Sequence, residues 1–284
     1  MNQIYDIKDF RETLDMYKIV NKYQYIYNWW DDLDKNLEQI LNEELYISIK
    51  NNNLLEFTKS IIKHNIDVTM CDNLLLKNAI CNKSYSIINY LTEIIDINFS
   101  NGFAVKIACE FETDFLKYII NLGGNIRIDD DFCICYAILC NSLENVIELI
   151  DNGADINCRN GLPLYIANDK SIESSILDYL IKQGVNINNP IIINKYISNG
   201  SYHQLKTLLK YGIDVNLINI KNYVKFLSDQ DNKYERLKIT KILVQYGFNI
   251  SQINNIKLSK KSQIFTSYMS DFGIDSNILC SILY

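Results

Sequence analysis

One heptapeptide, Asp151-Asn-Gly-Ala-Asp-Ile-Asn157, recurs in altered form along most of the chain and restricts what it can fold into. With Asp155 as the register position, the counterparts are Asp67, Asp96, Asn125, Asn186, Asp214 and Asn249, at successive intervals of 29, 29, 30, 31, 28 and 35 residues. The next residue is β-branched every time: Val68, Ile97, Ile126, Ile156, Ile187, Val215 and Ile250. Six and five residues before the register position stands an apolar pair, from Ile61/Ile62 and Tyr90/Leu91 to Leu243/Val244. A unit of about 30 residues with fixed columns is the signature of a repeat array, in which each unit completes its core only against its neighbours.

Composition narrows the function classes. A net charge of -6 argues against a phosphate-backbone binder, which needs a basic face, so no nucleic-acid partner is expected. No run of 18 uncharged apolar residues occurs, so no membrane span is expected, and the polar Met1–Arg11 does not read as a secretory signal. The eight cysteines fall mostly at apolar helical positions and read as core. Cys133-Ile-Cys135 has no second pair at zinc spacing and the only histidines are His64 and His203, so neither metal nor cofactor is expected.

Three segments follow from the register. Residues 1–42 lie outside it, with Phe10, Leu14, Tyr17 and Val20, then Leu33, Leu37, Ile40 and Leu41, at helical spacing. Between them sits Trp29-Trp30, so the segment reads either as a helical cap on the array or as a docking element. Residues 43–252 form the array, and 253–284 read as a degenerate C-terminal repeat or cap, since Phe272-Gly-Ile-Asp-Ser-Asn277 echoes the motif. Within the array, Asn53…Glu56 and Asn141…Glu144 have capping-box spacing. Asn65, Gly123, Gly153, Gly184, Gly212 and Gly247 stand where a left-handed helix C-cap is needed, with Ile94 the exception. The polar stretch Ser228–Glu235 reads as an elongated loop between the two helices of its unit.

A turn followed by two antiparallel helices resembles the ankyrin repeat. The best copy is Gly153-Ala-Asp-Ile-Asn157 followed by Gly161-Leu-Pro-Leu-Tyr-Ile-Ala167, close to the family's Thr-Pro-Leu-His-x-Ala with Pro163 opening the first helix. Ala79, Ala108 and Ala137 recur at the place of Ala167, whereas Leu162 and Tyr165 replace the motif's Thr and His. The resemblance implies an all-α, ankyrin-like solenoid of stacked helix-turn-helix repeats. About three residues are missing between units, so short turns are expected in place of long β-hairpin fingers. The degenerate repeats and the excess of residues with AT-rich codons are similar to the ankyrin proteins of amoeba-infecting giant DNA viruses.

No catalytic constellation can be assembled: there is no Gly-rich phosphate loop and no Gly-x-Ser-x-Gly. The chain is therefore expected to be non-catalytic, a monomeric protein–protein interaction module acting on a host protein from the host cytoplasm. The expected binding surface is the concave side of the stack, mapped to Ser100, Glu110, Phe111, Asp129, Asp130, Asp131, Arg159, Asn160, Asp169 and Lys170. Its carboxylates favour a basic partner segment; Asp129–Asp131 read as solvated rather than as a cation site, and Phe111 either anchors a partner or packs locally. Two other roles stay open: a ubiquitin-ligase substrate adaptor docking through 1–42, and a structural, virion-associated protein.

Overall fold

The computed structural model describes residues 43–228 and 233–249. Among these there are fourteen α-helices, one 3-10 turn and no strand. They fall into two compact units, 43–140 with Ile147–Ala154, and Asn141–Val146 with the described residues of 155–249.

In the first unit the helices are α1 (Glu43–Lys50), α2 (Leu54–His64), α3 (Met70–Cys81), α4 (Tyr85–Thr92), α5 (Phe99–Ala108), α6 (Thr113–Asn121) and α7 (Ile128–Leu139), with the later turns of α8 (Leu143–Asp151). Helices pack in hairpin pairs, α1–α2, α3–α4 and α5–α6, and the first helices pack again on one another, α1–α3–α5–α7. A first helix flanked on both sides is therefore buried nearly all round, as Phe132 to Ile138 of α7 are, whereas α1 leaves Glu43, Glu44, Ile47 and Lys50 exposed. Second helices bury one stripe, as Phe115, Leu116 and Ile119 do in α6. Ala79, Ala108 and Ala137 are fully buried.

The second unit repeats the plan with α9 (Cys158–Ala167), α10 (Ser174–Lys182), α11 (Pro190–Ser198), α12 (Tyr202–Lys210), the 3-10 turn Val215–Leu217, α13 (Ile220–Ser228) and α14 (Lys233–Gln245). Hairpins α9–α10 and α11–α12 stack through α9–α11–α13 and α12–α14. The fold is all-α and ankyrin-like, with short turns and no β-hairpin fingers among the described residues.

The register residue has a mechanical task. In six repeats its side-chain oxygen accepts the backbone N–H two residues on: Asp67 from Thr69, Asp96 from Asn98, Asn125 from Arg127, Asp155 from Asn157, Asn186 from Asn188 and Asp214 from Asn216, at 2.8–3.0 Å. This side-chain-closed turn needs a short carboxylate or amide, which explains the Asp/Asn column. In four of these repeats the residue two places on then reaches the following repeat. Asn98 accepts from Asn125 N–H at 2.7 Å and donates to the Gly123 carbonyl, and Arg127 donates to the Gly153 carbonyl. In the second unit Asn157 accepts from Asn186 N–H and Asn188 from Asp214 N–H.

The cap glycines take positive φ between +85° and +93°, and Asn65 joins them at +50°. Asn53 caps α2, its side chain accepting from Glu56 N–H. The second proposed capping box does not form. Ser142 accepts from Asn145 N–H, while Asn141, in the left-handed region, spends its oxygen on Glu173 N–H. The Ser228–Glu235 stretch is also shorter as a loop than its polarity suggests. Helix α14 already begins at Lys233 and, at 13 residues, takes up much of the extra spacing. The expectations for 1–42, Trp29 and Trp30 included, and for 253–284 lie outside the described residues.

Replacing the bridging amide in either unit, Asn98→Ala or Asn157→Ala, is expected to cost about 1–2 kcal/mol. The check is a lower denaturant midpoint at unchanged m-value.

Candidate functional site

Within the opening residues of α5, α7 and α9, ahead of their regular right-handed turns, lies a feature that the sequence reading missed. Ser100-Asn101-Gly102, Asp129-Asp130-Asp131 and Arg159-Asn160-Gly161 each hold three successive residues at positive φ, and Asn73 takes the same conformation in an earlier repeat. Each triplet is one left-handed turn, closed by a backbone bond from its third residue to a carbonyl four residues back: Gly102 to Asn98, Asp131 to Arg127, Gly161 to Asn157. Left-handed turns cost about 1–2 kcal/mol per ordinary residue, and Asn, Asp and Gly bear that cost best. The clustering of those residue types was the available signal. Space imposes a second demand at the third position: a Cβ on Gly102 would lie 3.0 Å from Ile128 Cγ2, and one on Gly161 2.7 Å from Asn189 Nδ2.

These turns divide their residues. The first two positions are Ser100 and Asn101, both exposed, Asp129 and Asp130, half-buried and exposed, and Arg159 and Asn160, half-buried and exposed. The third is buried in all three.

That division corrects the reading of the acidic run as a solvated face. Asp131 is buried and pairs with Arg127 at 2.6 Å. Asp129 pairs with Lys106 at 2.7 Å. Only Asp130 of the three is exposed, so most of the expected negative field is neutralised locally. Arg127 and Asp131 stand at i,i+4, a spacing visible in the sequence; Lys106 lies 23 residues from Asp129 and gave no such signal.

The other proposed positions lie at the far end of the first helices. Glu110 is exposed and accepts the Tyr136 hydroxyl. Phe111 is half-buried rather than exposed: it meets Phe115 edge-on with centroids 5.3 Å apart, and the Lys83 ammonium sits 5.1 Å from its ring centre. Asp169 closes a local turn by accepting from the Ser171 N–H and hydroxyl, and Lys170 is exposed. The ten positions therefore split between the inter-repeat turns and the hairpin turns instead of forming one continuous set.

The largest shifts in acidity belong to groups that burial desolvates. Burial pushes the Cys133 and Cys140 thiols up to about 12, and Cys109 is also raised. At neutral pH such thiols stay protonated and unreactive. Lys195 is buried with its ammonium 4.1 Å from the Tyr165 ring centre, and Tyr165 stacks on Tyr196. Desolvation lowers its pKa to about 8. Among the described residues no group of three or more His, Cys, Asp and Glu could hold a metal ion, and no helix is long and apolar enough to cross a membrane.

Two expectations follow. Arg127→Ala should cost about 2 kcal/mol, between the values for exposed and buried pairs. Adding Asp131→Gly, the residue found at this position in two other repeats, should recover the part due to the stranded carboxylate, leaving about 1 kcal/mol for the lost Arg127–Gly153 bond. Lys195 has a folded pKa below its unfolded value, so it opposes folding at pH 7 and this opposition is relieved as pH rises from about 8 to about 10.5. Lys195→Met should therefore raise Tm by a few degrees at pH 7. The gap to wild type should close across that pH window.

No family model matches the chain. It is similar along most of its length to proteins of Acanthamoeba polyphaga mimivirus whose names describe them as ankyrin repeat proteins. One is 28% identical over 225 residues, 78% of this chain and 71% of that protein. A second is 27% identical over 225 residues, 74% of this chain and 60% of the relative's length. A third is 20% identical over 254 residues, 82% of this chain and 80% of that protein. The likeness points to a protein-interaction module.

Proposed function

We propose that this ankyrin-like chain is a non-catalytic recognition module that binds a host protein through its inter-repeat turns. The supporting observation is the left-handed turn: one backbone geometry recurs in three repeats while its outward residues differ in charge and size, Ser100-Asn101, Asp129-Asp130 and Arg159-Asn160. A rigid frame presenting varied polar side chains lowers the ordering cost of association. The likeness to viral ankyrin repeat proteins supports a host target met in the host cytoplasm. The chain acts as a monomer toward protein rather than nucleic acid, in keeping with a net charge of -6. With Asp129 and Asp131 paired to cations, the partner chemistry favoured at these turns is hydrogen-bonding and mixed in charge rather than strongly basic.

Exchanges between Asn and Asp move charge while keeping a residue that tolerates positive φ. Affinity capture from amoebal lysate with Asn101→Asp and Asp130→Asn should lose the wild-type partner at least tenfold at unchanged melting temperature. A partner retained equally by wild type and both variants would overturn the assignment to these turns.

A further inference from the structure

The first described repeat differs from the others on its outer side. At the fifth residue before the register position, Ile120, Ile150, Ile181 and Val244 are half-buried and Leu91 and Leu209 buried, whereas Ile62 is 80% exposed. At the second residue of the second helix, five later repeats carry Ser86, Asp114, Glu144, Ser175 and His203 and the last described one Tyr234, 62% exposed, whereas α2 carries the aliphatic Leu55, 63% exposed. Leu55 and Ile62 are seven residues apart on one helix and so share a face. The Lys63–Glu44 ion pair brings the start of α1 beside the end of α2, and Ile47, one turn beyond Glu44, is 46% exposed. The inner side of this repeat is closed. Phe57 packs on Tyr90, Ser84 donates to the Ile49 carbonyl, and Asn52 accepts from Ser86 N–H.

We propose that residues 1–42 of the same chain cover the Ile47/Leu55/Ile62 face and so take the place of a preceding repeat. The segment joins α1 directly at Glu43, and its stripe Leu33, Leu37, Ile40 and Leu41 ends two residues from that helix. A tether this short gives an effective concentration in the millimolar range, which a second copy in dilute solution does not match. The occupant supplies two apolar stripes, and the face supplies three large apolar side chains that are 46%, 63% and 80% exposed.

The experiment uses the full chain with a photoreactive benzoylphenylalanine at Ile62. Irradiation should link it to a peptide within 1–42 of the same molecule, read by mass spectrometry, with the product migrating as a monomer. A link to a second copy, or none to 1–42, overturns the proposal. As an independent reading, Leu55→Asp with Ile62→Asp should release the segment, so that chymotrypsin cuts at Tyr25–Trp30 at least tenfold faster while sites in 43–249 stay protected. Equal cutting rates in wild type and variant also overturn it. Because the readout is intramolecular, loss of partner binding at the inter-repeat turns would leave it unaffected.

Discussion

Everything in the array hangs on how one repeat's turn is joined to the next without a strand. A β-hairpin finger would do this with backbone ladder bonds; here two side chains, two residues apart, take over. The register oxygen closes its own turn, which fixes the backbone so that the residue two places on points toward the following repeat. Asn98 illustrates the economy: one amide satisfies a donor and an acceptor of the next turn, at Asn125 and Gly123. Where arginine stands instead, only the donor half of the bridge is made, from Arg127 to Gly153. The spacing of about 30 residues is then the length of chain needed to return to the same bridge.

A second tie runs along the hairpin end of the helices. Asn52 with Ser86, Lys83 with Glu112, and in the second unit Asn141 with Glu173 and Asn168 with the Gln204 carbonyl, link one hairpin turn to the next. Each first helix is thus held at both ends by polar contacts while its body packs on its neighbours. This suits the composition of those helices, which are too apolar to stand alone and carry few polar groups of their own to fix their register.

The fold was largely legible because its constraints are local. Glycine and asparagine at the helix C-caps, the Asp/Asn column and the recurring alanines each answer a backbone or packing demand within one repeat. What escaped reading was what depends on two conformations of equal local plausibility. Asp129-Asp130-Asp131 could be a solvated turn or a left-handed one, and only the second buries Asp131 on Arg127 and leaves Asp130 outside. Asn141 and Ser142 could each cap α8, and the neighbouring Glu173 N–H decides by claiming Asn141. Phe111 could face solvent or pack, and Phe115 four residues on, with Lys83, draws it in.

The left-handed turn also explains why the chain can vary its surface without disturbing its frame. Its third residue must be small or specifically compensated, because the next repeat approaches within contact of that Cα: Ile128 at Gly102, Asn189 at Gly161. Its first two residues are exposed or half-buried and must tolerate positive φ, which Asn and Asp do at low cost. Frame-holding and outward-facing residues are therefore neighbours in one turn. Asp131 is the revealing exception. It sits at a frame position with a charged side chain, and the frame accommodates it by supplying Arg127, the residue that also bridges to Gly153. One guanidinium thus serves both the turn and the link between repeats, and Asp130 is the acidic side chain that this turn leaves outward.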